Sequence, residues 1–360
     1  MAAFTVNEDG VKRLYTVSTA NNTIRKLKVP LGQIYNLRFS DDNRQIAFTI
    51  GSAKNPGDVY AYTISSGSLK RWTFSETGGL PADSFVEPQL VHYTPFDSVN
   101  GTPRLIPAFL YKPHGASAVN QTGTFPVLIQ IHGGPETQYV PSFSPVIQYF
   151  VRELGIAVIA PNVRGSSGYG KTFLTLDNGY KRQDAVKDIG RLLDWIGKQP
   201  DLDSGRVAVM GKSYGGFMTF ASMAAYNSRL RCGISTAGIS SFVTFLNNTA
   251  EHRRDARRVE YGDERDAKMR AFFETVSPLS NAGRITKPLF IAQGSNDPRV
   301  PVSEARQMQK AIQKNGAPVW FMLAPDEGHG FAKKSNSDYF TSAVSMFLRK
   351  YLFAAFDHVK

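Results

Sequence analysis

Short apolar runs alternate with stretches of helical period over most of this chain, and that pattern limits the fold more than any other feature. "FPVLIQI", "IAVIAP", "RVAVMG", "RCGIST", "PLFIAQG" and "PVWFMLAP" are apolar on both faces when extended. Between them lie segments such as "SPVIQYFVRELG", "DAVKDIGRLLDWIGK", "GFMTFASMAAY" and "VSEARQMQKAIQKNG". In the second of these, Val186, Ile189, Leu192, Leu193 and Ile196 fall on one helical face. A strand apolar on both faces needs cover on both faces. The pattern therefore predicts a mostly parallel sheet between two helical layers, an α/β fold. In such sheets the chemistry collects at the carboxyl ends of the strands.

The first 80 residues read differently. From Val11 to Phe74 the period is two, with a turn about every ten residues. "IYNLRFSDDNRQIAFTIG" and "GDVYAYTISSGSLKRWTFS" each read as strand, turn, strand, and "RLYTVSTANNTIRKLKV" precedes them as one more strand pair. The run resembles one β-propeller blade plus part of another. Propellers close with about four to eight blades, so this length cannot close. Residues 1–80 are read as a partial β-propeller-like region. It is expected to pack on the rest of the protein or on another subunit, or to be a remnant of something longer. Residues 81–360 are read as the catalytic domain, entered through a hairpin in "EPQLVHYTPFDSVNGTPRLIPAFLYKP".

Three strand ends carry chemistry. After "VAVM" comes Gly211–Lys212–Ser213–Tyr214–Gly215, a G-x-S-x-G. The pentapeptide arises by chance roughly 0.2 times in a chain this long. Its setting of strand, tight turn and helix is that of a nucleophile elbow. Asp297 follows "PLFIAQG" and His329 follows "PVWFMLAP". The order nucleophile, acid, histidine is that of α/β-hydrolases. A serine hydroxyl needs a base to take its proton, and His329 supplies one. The imidazole needs one tautomer and a stabilised cation, which Asp297 supplies. A tetrahedral oxyanion needs donors, each worth about 3–4 kcal/mol in the transition state. The Tyr214 amide is the first, and "HGGP" (His132–Pro135) offers the second at Gly134, with Gly133 as the alternative.

Each assignment has a rival. Asp326 competes with Asp297 but lies only three residues from His329, in what reads as a loop. His132 competes with His329 but precedes paired glycines and reads as a loop-shaping residue. His92, His114, His252 and His358 lack a strand-end setting. Arg164 in "PNVRGSSGYG" reads as a structural tie between strand-end loops.

Composition removes other classes of function. A formal charge of +12 suggests an anionic partner, but no aromatic stacking pattern, zinc spacing or basic tail accompanies it. The densest charge run, Glu251 to Arg270, mixes both signs and reads as a solvated helical face. Nucleic acid is not expected as a partner. The single cysteine, Cys232, allows no internal disulfide and reads as a small buried hydrophobe. No metal or cofactor is expected. No run approaches the ~18 apolar residues of a membrane helix, and "MAAFTVNEDG" has no basic n-region, so a cytoplasmic location is expected. Exposed blade edges favour a homo-oligomer.

The set "HGGP", "PNVRGSSGYG", "GKSYGGFMTF", "GSNDPRVP" and "DEGHGF" resembles the prolyl oligopeptidase family of serine peptidases, in its acylaminoacyl-peptidase and dipeptidyl-peptidase-like branch. The resemblance covers about Phe85 to Leu352. It implies an α/β-hydrolase domain capped by a propeller, with the triad on Ser213, Asp297 and His329. It implies that Arg299, just after the acid, contacts a substrate backbone carbonyl. It makes Phe242 and Phe245 candidates for the specificity pocket, against plain helical core packing. Two features depart from the family. Lys212 stands where a small residue or arginine is usual, beside the turn and without bar to catalysis. Most of the propeller is absent from this sequence, which opens the site and makes simple esters plausible. The expected function is hydrolysis of short peptides or acylated amino-acid derivatives through an acyl-enzyme. A carboxylesterase is the alternative, and a non-catalytic binding protein on the same scaffold is the third reading.

Overall fold

The structure, a computed structural model, describes residues 1–114 and 123–353. The last seven residues of the region read as 81–360, His358 among them, lie outside the described residues.

The N-terminal region is two antiparallel sheets. β1 (Ala2–Glu8), β2 (Val11–Val17) and β3 (Ile24–Lys26) form the first. β4 (Gln33–Phe39), β5 (Gln45–Ser52), β6 (Asn55–Thr63) and β7 (Leu69–Arg71) form the second, in sequential order. The strand pair expected ahead of the blade is thus a three-stranded sheet. The reading began at Val11 and missed β1, although "AAFTVNE" runs into Asp9–Gly10. Those residues have φ of 50° and 76°. Two consecutive positive φ values are what a type I′ hairpin demands, and Asp-Gly is its common sequence. The sheets share a small core of Leu14, Leu27, Ile34, Ile46, Phe48, Ile50 and Tyr62.

The region packs on the rest of the chain, one of the outcomes expected for an unclosed propeller. Gln148 in the catalytic part donates to the Ala53 carbonyl at 3.0 Å and to the Val86 carbonyl at 2.9 Å, and accepts from the Val86 amide at 2.8 Å. It is buried, so its amide group holds both segments in a dry contact, where each hydrogen bond counts for more.

The second region is an eight-stranded mixed sheet. Its strands are β8 (Gln89–Tyr93), β11 (Ile106–Tyr111), β12 (Phe125–Ile131), β13 (Ala157–Pro161), β14 (Leu202–Lys212), β15 (Cys232–Thr236), β16 (Leu289–Gly294) and β17 (Val319–Ala324). A two-stranded ribbon, β9 (Ser98–Val99) and β10 (Thr102–Pro103), tips the β8–β11 hairpin. The spatial order is β17-β16-β15-β14-β12-β13-β11-β8. Neighbours from β13 to β17 are parallel, and β11 and β8 add antiparallel at one edge.

Nine helices are described: α1 (Pro145–Arg152), α2 (Lys171–Leu174), α3 (Arg182–Ile196), α4 (Tyr214–Ala225), α5 (Phe242–Asn248), α6 (Glu251–Tyr261), α7 (Ala267–Val276), α8 (Val302–Lys314) and α9 (Lys334–Tyr351). Successive strand residues serve opposite layers, as the pleat requires. Val127 and Ile129 face the core under α3, α4 and α8, while Leu128 faces the core under α1 and α9. The three-layer α/β-hydrolase architecture follows. The chain passes from β12 to β13 on one side, then returns to β14 on the other. That switch point opens a crevice at the carboxyl ends of β12 and β14, where ligands bind in such sheets. "HGGP" and Ser213 stand at those two ends.

Candidate active site

Ser213 sits alone between β14 and α4, with φ 61° and ψ −119°. A non-glycine residue there is strained by roughly 1–3 kcal/mol, and the surrounding structure must impose it. Its neighbours explain why glycines frame it. A β-carbon at Gly211 would strike the Gly215 backbone, and one at Gly215 would strike the Ile131 carbonyl. The Ser213 amide donates to the Thr236 carbonyl at 2.9 Å, fixing the turn to β15. Tyr214 is the first residue of α4, so its amide has no acceptor one turn back in the helix.

Asp297 and His329 meet. His329 Nδ1 lies 2.7 Å from Asp297 Oδ2. With a carboxylate at that distance Nδ1 carries the proton, and Nε2 is the ring atom left to take one from a hydroxyl. Asp297 is buried, and its other contacts are the amides of Arg299 (2.8 Å) and Val300 (3.1 Å) and Gln293 Nε2 (3.1 Å). Burial raises its pKa. The hydrogen bond and charge of His329, with the two amides, outweigh burial and hold the carboxyl below its ordinary range. The rival Asp326 is exposed and pairs with Lys333 at 2.6 Å.

Close backbone approaches bring the loops together. A β-carbon at Gly133 would lie 3.1 Å from the Lys212 carbonyl and 3.4 Å from Ser213 Cβ, so the "HGGP" loop rests on the elbow. A β-carbon at Gly330 would overlap Lys212 Nζ, so the histidine loop lies against the end of the Lys212 side chain. The Gly133 carbonyl accepts from Thr137 Oγ1 and lies 2.7 Å from His132 Nδ1. The amide of Gly134 shares that planar trans peptide and points the opposite way. The His132 ring also meets Ser166 Oγ at 2.8 Å, and burial pushes its pKa down. It shapes the loop, as its sequence setting suggests. Arg164 likewise ties strand-end segments, through Asp188 (2.7 Å) and Asp97 (2.8 Å).

The substrate candidates separate. Arg299 is exposed, and its guanidinium has no hydrogen-bond or ion-pair partner among the described residues. Phe242 and Phe245 are different. Phe242 has no exposed surface and packs on Phe217, Phe273 and Tyr261 with ring centroids 4.9–5.4 Å apart. Phe245 is 3% exposed and meets Tyr261 edge-on. Their place on α5 is core packing, which corrects their reading as pocket residues. The charge run Glu251–Arg270 also needs correction. Glu260 and Glu264 are buried rather than solvated, paired with Arg257 and Arg258. Arg257 Nη1 reaches the Gly134 carbonyl at 3.5 Å.

Two groups of supporting residues escaped the sequence. Tyr214 Oη donates to Asp177 Oδ2 at 2.8 Å, and Asp177 pairs with Arg182, both without exposed side-chain surface. Arg182 continues to the Glu260 carbonyl at 2.9 Å. Glu327, buried two residues before His329, accepts from the amides of Ala332 (3.0 Å) and Lys333 (2.9 Å) and from Asn336 (2.9 Å). It staples the histidine loop. The acid in "DEGHGF" was the one available signal, while nothing local marks Asp177 or Arg182.

Comparison with known proteins agrees with the layout. Residues 141–354 match the sequence profile of the prolyl oligopeptidase family. The chain is 32% identical over 325 residues to dipeptidyl aminopeptidase BIII of Pseudoxanthomonas mexicana, covering 88% of this chain and 46% of that protein. It is 29% identical over 351 residues to dipeptidyl peptidase family member 6 of Caenorhabditis elegans, covering 90% and 46%. The acylaminoacyl peptidase of Pyrococcus horikoshii superposes with a TM-score of 0.83 at 20% identity, over 99% of this chain and 55% of that one. The chain spans about half the length of the relatives it matches.

Proposed function

Because the chain belongs to the prolyl oligopeptidase family, we propose that it is a serine peptidase acting on short peptides or acylated amino-acid derivatives. The observation that carries this reading is the strained Ser213 on its elbow, beside a loop that presents His329 already paired to Asp297 at 2.7 Å. In the proposed reaction Ser213 Oγ attacks the substrate carbonyl carbon while His329 Nε2 takes the hydroxyl proton. The carbonyl oxygen gains the electron pair, held by the Tyr214 and Gly134 amides. Its collapse breaks the C–N bond, and His329 returns the proton to the departing amine. Water then repeats the sequence on the acyl-enzyme. Asp297, ionised well below neutral pH, stabilises the imidazolium in both halves. In this reading Arg299, exposed and with no side-chain partner among the described residues, binds a substrate carbonyl.

Two measurements test this reading. A fluorophosphonate should label Ser213, and the chain should release aniline from an aminoacyl anilide. Turnover of p-nitrophenyl acyl esters with no measurable anilide cleavage would replace the peptidase by a carboxylesterase. Absence of labelling would leave only a binding protein. No described helix is long and apolar enough to cross a membrane, and a cytoplasmic location remains part of the proposal. So do the absence of a nucleic-acid partner and self-association through the open sheet edges.

A further inference from the structure

A cavity of about 380 Å³ opens beside the elbow, on the sheet face covered by α1 and α9. That volume lies within the range of small-ligand pockets, about 300–1,000 Å³. Val146 and Phe150 of α1 wall it on one side, and Phe340 and Val344 of α9 on the other. Its lining takes two residues from each loop of the candidate site: His132 and Gly133, Gly211 and Lys212, Gly330 and Phe331. The cavity therefore adjoins the loops that carry Ser213, Gly134 and His329.

Its side of the site is informative. The opposite face of the sheet at the elbow is filled by the Tyr214, Phe217, Phe242 and Phe273 rings. The cavity instead borders Gly330 and Phe331, the two residues after His329. His329 is the group that hands a proton to the departing amine, so the departing half lies on its side. The cavity stands on the side of the histidine loop, where the departing half would lie in the proposed reaction.

Its chemistry is specific. Val146, Met210, Phe331 and Phe340 are only partly buried and make the walls largely apolar, with Thr236, Ser337 and Thr341 as polar lining. One cation stands at the mouth. Lys212 is exposed, and its ammonium has no hydrogen-bond or ion-pair partner among the described residues. It lies over Gly330, where burial lowers its pKa, Asp297 raises it and Arg299 lowers it further. An apolar chamber with an unpartnered cation at its entrance suits an apolar body that carries an anion.

We infer that this cavity receives the residue released on cleavage, with its apolar side chain inside and its free α-carboxylate on Lys212. The inference rests on the peptidase reading and deepens it. The favoured substrates are short peptides that end one residue beyond the scissile bond.

The test compares two acyl dipeptides that differ only at the end, one with a C-terminal phenylalanine carboxylate and one with its amide. A charge-assisted hydrogen bond of ordinary strength predicts a roughly tenfold kcat/KM preference for the carboxylate, expressed in KM. Lys212→Met should bring the ratio to about one, and Lys212→Arg should keep most of it. A lysine with a merely structural role would scale both substrates together and leave the ratio unchanged. Equal cleavage of both peptides by the unaltered protein, or an undiminished preference in Lys212→Met, overturns the inference alone. Cleavage of neither peptide, with Ser213 still reactive to a fluorophosphonate, overturns the peptidase reading and the inference with it.

Discussion

Asp58 in the N-terminal sheets and Asp297 in the hydrolase sheet are near twins by ordinary measures. Both are buried, and both carboxyls are held below the usual range by hydrogen bonds that outweigh burial. Each accepts four hydrogen bonds. Asp58 takes them from Asn55 (2.5 Å), Arg71 (2.5 Å), Thr73 (3.0 Å) and the Ser75 amide (2.8 Å). All four donors come from the same blade, and none titrates near neutral pH. Asp297 takes three from its own loop and the strand before it, and the fourth from His329 on the next loop. Burial and saturation do not distinguish a structural carboxylate from a functional one. The partner does: in the proposed reaction His329 gains a proton, and that would make the second aspartate part of the chemistry.

Substitutions can break or sharpen that contrast. Ser213→Ala should lower kcat by about six orders of magnitude on any substrate found, because triad members act as a unit. Single-turnover kinetics with an anilide would measure it, and near-normal turnover would remove Ser213 from its role. Asp297→Asn should cost about four orders of magnitude in kcat, since the amide stabilises the wrong imidazole tautomer. Asp58→Ala should leave kcat within twofold. It should destabilise the fold by about 2–3 kcal/mol in urea unfolding, below the 3–5 of a wholly buried pair because Arg71 is partly solvated. A large loss of turnover in Asp58→Ala would end the contrast.

Acid provides the gentlest comparison. Both folded pKa values are depressed, so each aspartate contributes stability that is complete above its unfolded value, near 3.8. That stability is lost as pH falls through the folded value. Urea midpoints followed from pH 6 to pH 3 should therefore drop, and the drop should shrink in either variant.

The same contrast shows what a sequence can carry. Ser213, Asp297 and His329 were legible because each follows an apolar strand, and the sheet brings strand ends together whatever lies between. Gly211 and Gly215 were legible because only a hydrogen fits against Gly215 and Ile131. Asp58, Asp177 and Arg182 gave no local sign. Asp177 and Arg182 acquire meaning only when a distant tyrosine or carbonyl folds against them. Phe242 and Phe245 misled for a related reason. Helical spacing places aromatics on one face but does not say whether that face meets solvent or Tyr261. The cavity was invisible too, since Val146 and Phe340 read as ordinary core positions. The space between them exists only once α1 and α9 are set at their final separation.

Gln148 sits two residues from each of two cavity-wall residues, Val146 and Phe150, on the helix that also grips Ala53 and Val86. One short rod thus serves as both a wall of the chamber and the mooring of the N-terminal sheets. A substitution at Gln148 would therefore touch the cavity wall and the contact with the N-terminal sheets together.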